Sequence, residues 1–90
     1  MTQVLWSDDA LSDIEVHVAY IDQFNPEAAN RLARALLAAG HSLAMFPQRG
    51  RPGLEPDTRE LTVAWPYVIV YRVRDDMVEI ARVWHGAQER

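Results

Sequence analysis

The chain has 90 residues, 49% of them hydrophobic and 24% charged, which is ordinary globular usage and excludes a disordered tail or a fibrous repeat. It contains no cysteine, so disulfides, thiol nucleophiles, zinc ribbons and iron–sulfur clusters are excluded. The net charge of -4 comes from thirteen acids against nine arginines with no lysine, which argues against coating nucleic acid through a broad basic surface.

The opening MTQVLWSDDALSD has neither a basic n-region nor an apolar core, so a single cytoplasmic domain over 1–90 is expected. Within it, Gln3 to Trp6 reads as a short strand. Ser7 is placed to cap a helix, Asp8 and Asp9 suit its positive end, and Leu11, Ile14, Val18 and Ile21 recur at helical spacing. That helix is expected to end near Gln23. Asn25-Pro26 then supplies a second cap with proline at the first helical position, and Ala29, Leu32, Leu36, Ala39, Leu43 and Phe46 carry the next apolar stripe. Gly40 is the weak point of that helix by propensity. The expected product is an antiparallel helix hairpin.

Two prolines and two glycines between Pro47 and Gly53 break the pattern and mark a loop, which also carries Arg49 and Arg51. Three runs rich in Val, Ile, Tyr and Trp follow, at Arg59 to Ala64, Tyr67 to Val73 and Val78 to His85, with turns at Trp65-Pro66 and Asp75-Asp76. The fold class is α+β, in the order strand, helix hairpin, three-stranded antiparallel meander. Uninterrupted pairing from the Asp75-Asp76 tip would set Val73 against Val78, Arg72 against Glu79, Val70 against Ala81 and Val68 against Val83. Leu61, Val63, Val68, Val70, Ala81 and Val83 would then share one face. Two helices cover one face only, so the other apolar face is expected to be covered by a partner, the alternative being that the loop 46–58 and the C-terminal residues pack over it.

Charge is unevenly placed along this order. Residues 1–40 hold six acids against Arg31 and Arg34, whereas 41–74 hold five arginines against three acids. A net acidic chain therefore has a locally basic loop and sheet. His17, His41 and His85 are too scattered to suggest a metal site, and Ser7, Ser12 and Ser42 have no histidine and acid arranged for a hydrolase. No metal or cofactor is expected.

Phe46-Pro47-Gln-Arg-Gly-Arg-Pro-Gly53, Thr58-Arg59-Glu60-Leu61, Tyr67-Val-Ile-Val-Tyr-Arg-Val73 and Val78-Glu-Ile-Ala-Arg-Val-Trp-His-Gly86 occur in this order and spacing. The pattern resembles the RelE/ParE superfamily of toxins from bacterial type II toxin–antitoxin systems and spans essentially the whole chain. The resemblance implies a toxin held inactive by a small antitoxin encoded beside it, in a hetero-oligomeric complex. RelE-like members cut messenger RNA in the ribosome with basic residues and sometimes a histidine. ParE-like members share the fold, lack that set and are associated with poisoning DNA gyrase.

By position, Arg59 stands where the nucleases have a basic residue and His85 where some have a catalytic histidine. Leu61 and Val68 stand where other basic residues would be. RNA cleavage by the 2′-OH needs a base, an acid and positive charge on the phosphoryl oxygens, and the resemblance supplies only part of that set. The expectation is a ParE-like toxin that binds an essential target such as DNA gyrase and is not itself an enzyme. Arg49, Arg51, Leu61, Val68, Val70 and Trp84 are the candidate antitoxin- or target-binding residues. The alternative is a ribosome-dependent mRNA endonuclease with Arg59, Arg82 and His85 as catalytic residues. A second alternative is an antitoxin-binding module without toxicity.

Overall fold

A computed structural model describes residues 2–86. Strand β1 (Gln3–Trp6) leads into helices α1 (Asp8–Asp22) and α2 (Pro26–Ser42), followed by a two-residue strand β2 (Arg51–Pro52) and the meander β3 (Arg59–Ala64), β4 (Tyr67–Arg74) and β5 (Met77–His85). The expected architecture is present, with β2 as an addition inside the loop. Both helix starts are capped as read: Ser7 Oγ accepts the Ala10 N–H at 3.0 Å and Asn25 Oδ1 accepts the Ala28 N–H at 3.1 Å. The second helix stops at Ser42, so Leu43 is buried as the C-cap while Phe46, read as the end of the stripe, is 63% exposed.

The sheet runs β1-β5-β4-β3-β2, with β1 parallel to β5 and the other pairs antiparallel. One face packs on the hairpin, where Ile69, Tyr71, Val78, Ile80 and Val83 meet Ala10, Leu32, Leu36 and Leu43. Gly40 sits against the Trp6 indole, which occupies the space a Cβ would need, so the helix sacrifices propensity for a close helix–sheet approach.

Pairing near the Asp75-Asp76 tip is as read, with Val73 opposite Val78 and Arg72 opposite Glu79. Beyond it a β-bulge changes the count. Tyr71 faces Ile80, but Val70 faces Arg82 and Val68 faces Trp84, which leaves Ala81 as the extra residue. A second irregularity lies between Thr62 and Ala64, where Leu61 faces Ile69 and Thr62 faces Val68. Period-two counting cannot see an inserted residue, and each insertion shifts everything past it to the other face. The face expected to unite Leu61 with Val68 and Val70 is therefore split. Leu61 joins the helix-side core, whereas Val68 and Val70 point to the opposite face with Glu60, Arg82 and Trp84.

That second face is also not the open apolar surface expected. Val68 is 0% and Val70 7% exposed within the single chain. Gly86 lies against Val68, and Leu54, Glu55 and Thr58 of the loop stand across a cavity of about 420 Å3 from Val70 and Trp84. Apolar exposure lies elsewhere, on Val16, Tyr20 and Phe24 of the hairpin at 63%, 63% and 73%, and on Met45, Phe46 and Leu54.

Candidate functional site

The loop between α2 and β3 is held to the sheet by a small set of side chains. Buried Tyr71 accepts the Gly50 N–H at 2.8 Å through its hydroxyl, which in turn donates to Pro47 O at 2.9 Å. Burial pushes the Tyr71 phenol above its ordinary value, against the Gly50 hydrogen bond and the nearby Arg59 and Arg49 charges. It stays protonated and serves as a hydrogen-bond hub. Arg59 lies opposite Tyr71, and its Nη1 donates to Gly50 O at 2.6 Å and to Gln48 O at 3.4 Å. Farther round, the Gly53 N–H donates to Thr58 O at 2.8 Å and the Thr58 hydroxyl to Glu55 O at 2.7 Å, closing a turn in which Asp57 has φ 65.

Arg49 is exposed and donates to Ser42 Oγ at 2.8 Å. Arg51 lies on edge strand β2 with its side chain 64% exposed and reaches the buried Glu60 carboxylate at 3.5 Å. Trp84 is half-buried on the second face beside Arg82, whose guanidinium carbon is 5.9 Å from the indole centroid. Of the six residues assigned to binding, the loop pair Arg49 and Arg51 is at the surface, Trp84 is partly so, and Leu61, Val68 and Val70 are inside.

Arg82 is engaged in a bidentate pair. Its Nε donates to Asp13 Oδ2 at 2.8 Å and its Nη2 to Asp13 Oδ1 at 2.9 Å, while the Val83 N–H also donates to Asp13 Oδ2 at 2.9 Å. Burial alone would raise the Asp13 pKa, but the Arg82 and Val83 hydrogen bonds with the Arg82 and His17 charges outweigh it and hold the carboxyl below its ordinary 3.8. Three residues of the α1 segment thus seal β5 where it outruns β1. Ser7 Oγ donates to Ala81 O at 2.7 Å, Asp13 takes the Val83 N–H, and His17 Nε2 lies 2.9 Å from Val83 O.

His85 is at the other end of the sheet from the loop, edge-on to Tyr67 with ring centroids 5.5 Å apart, and Tyr67 is likewise edge-on to His17 at 5.2 Å. Its Nδ1 is buried and has no hydrogen-bond partner among the described residues. Tyr67 is pushed above its ordinary pKa by burial and by Tyr20. On β4 the partner of Arg59 is Tyr71 and the partner of His85 is Tyr67, a separation of roughly 13 Å at 3.3 Å per residue. Arg82 faces Val70 between them, and its side chain turns away to α1. Arg59, Arg82 and His85 therefore do not converge on one reacting group. Among the described residues no group of three or more His, Cys, Asp or Glu is placed to hold a metal ion.

The comparisons with known proteins agree with this architecture. The family model described as "ParE toxin of type II toxin-antitoxin system, parDE" matches residues 4–90. The chain belongs to this toxin family. Among curated family members, it is similar to "Toxin RelE2" of Caulobacter vibrioides, with 47% identity over 88 residues that make up 98% of this chain and 99% of that protein. It is also similar to "Putative toxin Y4kP" of Sinorhizobium fredii, with 40% identity over 97% of this chain and 91% of that one. Among solved structures, a chain of "Chromosomal ParDE TA system from P. aeruginosa" superposes with a TM-score of 0.81 and 24% identity over 92% of this chain and 94% of its own, which supports the shared fold. The protein is thus a toxin of the type II toxin–antitoxin class. The family model is named for ParE and the curated relative for RelE, so the names do not separate the two readings.

Sequence reasoning passed over Arg72 and Arg74. Arg72 was assigned to pairing with Glu79, and the two are register partners, but its guanidinium turns to Glu55 at 3.9 Å. The available signal was two arginines at period two at the end of a strand, which places both on one face.

Proposed function

We propose that this toxin arrests growth in the cytoplasm by binding an essential protein target, DNA gyrase, and that its cognate antitoxin neutralises it by covering the helix hairpin and the loop side of the sheet. The observation that carries the reading is the dispersal of the nuclease set. Arg59 is tied to loop carbonyls, Arg82 to Asp13, and His85 lies near the opposite end of β4, which supports a reading in which these three residues do not act together on one phosphodiester. The exposed Val16, Tyr20 and Phe24 of the hairpin and the arginines of the loop supply apolar and charged contact surface suited to a protein. Supercoiling by purified gyrase, assayed with and without the toxin freed of antitoxin, tests the reading. Inhibition near stoichiometry is expected, and none at excess overturns it.

A second reading, ribosome-dependent mRNA cleavage, draws on the 47% identity to a relative named RelE2 and on Arg59 and His85 pairing with residues of the same β4 face. Primer extension on translated messages distinguishes it. Cleavage abolished by Arg59→Ala or His85→Ala would replace the gyrase reading.

A further inference from the structure

Among the described residues, strand edge lies without a strand beside it on the outer sides of β1 and β2, on β5 past Ile80, on β4 at 72–74 and on β3 at 61–64. Most of these margins are blunted in the ways natural sheets use. Ser7, Asp13 and His17 bond to the margin of β5, β4 carries Arg72 and Arg74, and β2 is two residues long and begins with Arg51. Thr2, just before β1, donates its N–H to Ala44 O at 3.3 Å, and beyond Ser7 the strand is followed by Asp8 and Asp9. The margin of β3 differs. Its Leu61-Thr-Val-Ala64 stretch has no charge and no proline, β2 stops short of it at Glu60, and among the described residues no loop backbone bonds to it. A bulge between Thr62 and Ala64 is the one blunting device there, and both of those residues are exposed.

The two ends of this neutral stretch carry groups that match each other. At one end Arg51 stands opposite Glu60 with its side chain 64% exposed, and at the other Trp65 is 69% exposed. Two copies laid antiparallel about a two-fold axis near Val63 bring the Arg51 of each to the Trp65 of the other. The open edge then gains backbone hydrogen bonds, and each guanidinium gains an aromatic face while keeping its approach to Glu60. A charged partner has nothing to pair with on Leu61-Thr-Val-Ala64, whereas a second copy is complementary at both ends at once. We propose that the isolated toxin pairs with a second copy of itself through β3 at residues 61–64, joining the two sheets into one across a two-fold axis. The contact is small, a short strand with one arginine and one tryptophan from each copy, so the dimer is weak, with a dissociation constant on the order of 10–100 µM.

The test is sedimentation equilibrium of the full chain, freed of antitoxin, from about 1 µM to about 1 mM. Wild type is compared with Thr62→Lys and Trp65→Ser, both at exposed positions. Hydrogen exchange on the wild type is measured at the two ends of the concentration range. A monomer–dimer equilibrium is expected, weakened about 10-fold or more by Thr62→Lys, which sets two ammonium groups close together across the axis, and several-fold by Trp65→Ser. Added salt should tighten the wild-type dimer, because each copy carries a net charge of -4 and salt screens the repulsion between them. Amides within 61–64 should gain protection as concentration rises, a readout that needs no variant to fold. A wild type that stays monomeric up to about 1 mM overturns the inference. So does a dimer that Thr62→Lys leaves intact, a dimer in which 61–64 exchange as in the monomer, or open-ended assembly in place of a closed pair. Protection of 61–64 by the antitoxin in a toxin that never dimerises assigns the edge to the antitoxin and overturns the proposal as well.

Discussion

Tyr71 joins the core to the loop, since its ring is fully buried and its hydroxyl satisfies Gly50 N–H and Pro47 O. Tyr71→Phe keeps the ring and strands those two backbone groups, so it should cost about 1–3 kcal/mol in urea denaturation. Asp13 is the second such residue, and its effect depends on pH. Its folded pKa is depressed, so the stability it contributes is fully present above the ordinary value of 3.8 and is lost as pH falls through the lower folded value. Asp13→Asn should lower stability near neutrality by about 1–2 kcal/mol, a figure reduced because Arg82 is partly exposed. As pH falls from 3.8 through the lower folded value the variant and wild-type stabilities should converge, as measured by denaturation at each pH. Arg59 was legible in the sequence as a residue beside the loop. The capture of Arg82 by Asp13 was not, because the two lie 69 residues apart and only the tertiary fold brings them together.

For the elements, caps and periodicity carried most of the information. Ser7, Asn25 and Pro26 mark the helix starts, and the turns at Trp65-Pro66 and Asp75-Asp76 mark the meander. The bulges were illegible, since Ala81 looks like any small strand residue and nothing local announces that it goes unpaired. The consequence fell on the candidate site, where Leu61 was joined to Val68 and Val70 on one face. Gly40 shows the opposite failure, in which a residue read as a weakness is required by packing. By propensity Gly40→Ala gains about 1 kcal/mol, but its Cβ would enter the Trp6 indole, so the net effect should be a loss of about 1–3 kcal/mol. Denaturation followed by circular dichroism checks the sign. Trimming the indole in the Trp6→Leu background should restore part of the gain, a non-additivity expected of touching side chains.

Across the whole molecule, the most exposed aromatic residues of the hairpin lie apart from the core. Tyr20 and Phe24, edge-on to one another at 5.5 Å, are mostly exposed and make little of the core. Tyr20→Ser/Phe24→Ser should therefore change stability by no more than about 0.5 kcal/mol per site while weakening antitoxin binding measured by calorimetry. The acidic hairpin and the basic loop and sheet were legible as a charge asymmetry, and the apolar run on both faces of β4 marked a central strand, but which segment covers Val68 and Val70 was not legible, because that is a property of the closed sheet. The parallel pairing of β1 with β5 has a consequence for synthesis. Among the described residues β1 finds its one strand partner in β5, at the far end of this sequence order, and the contact of Ser7 with Ala81 spans 74 residues. Until residues 77–85 emerge, β4 lacks its β5 partner, β1 has no strand to pair with and Trp6 has no Ile80 to meet, so the sheet cannot close. Any surface that depends on the closed sheet therefore comes into being late in synthesis, once β5 has joined β4 to β1.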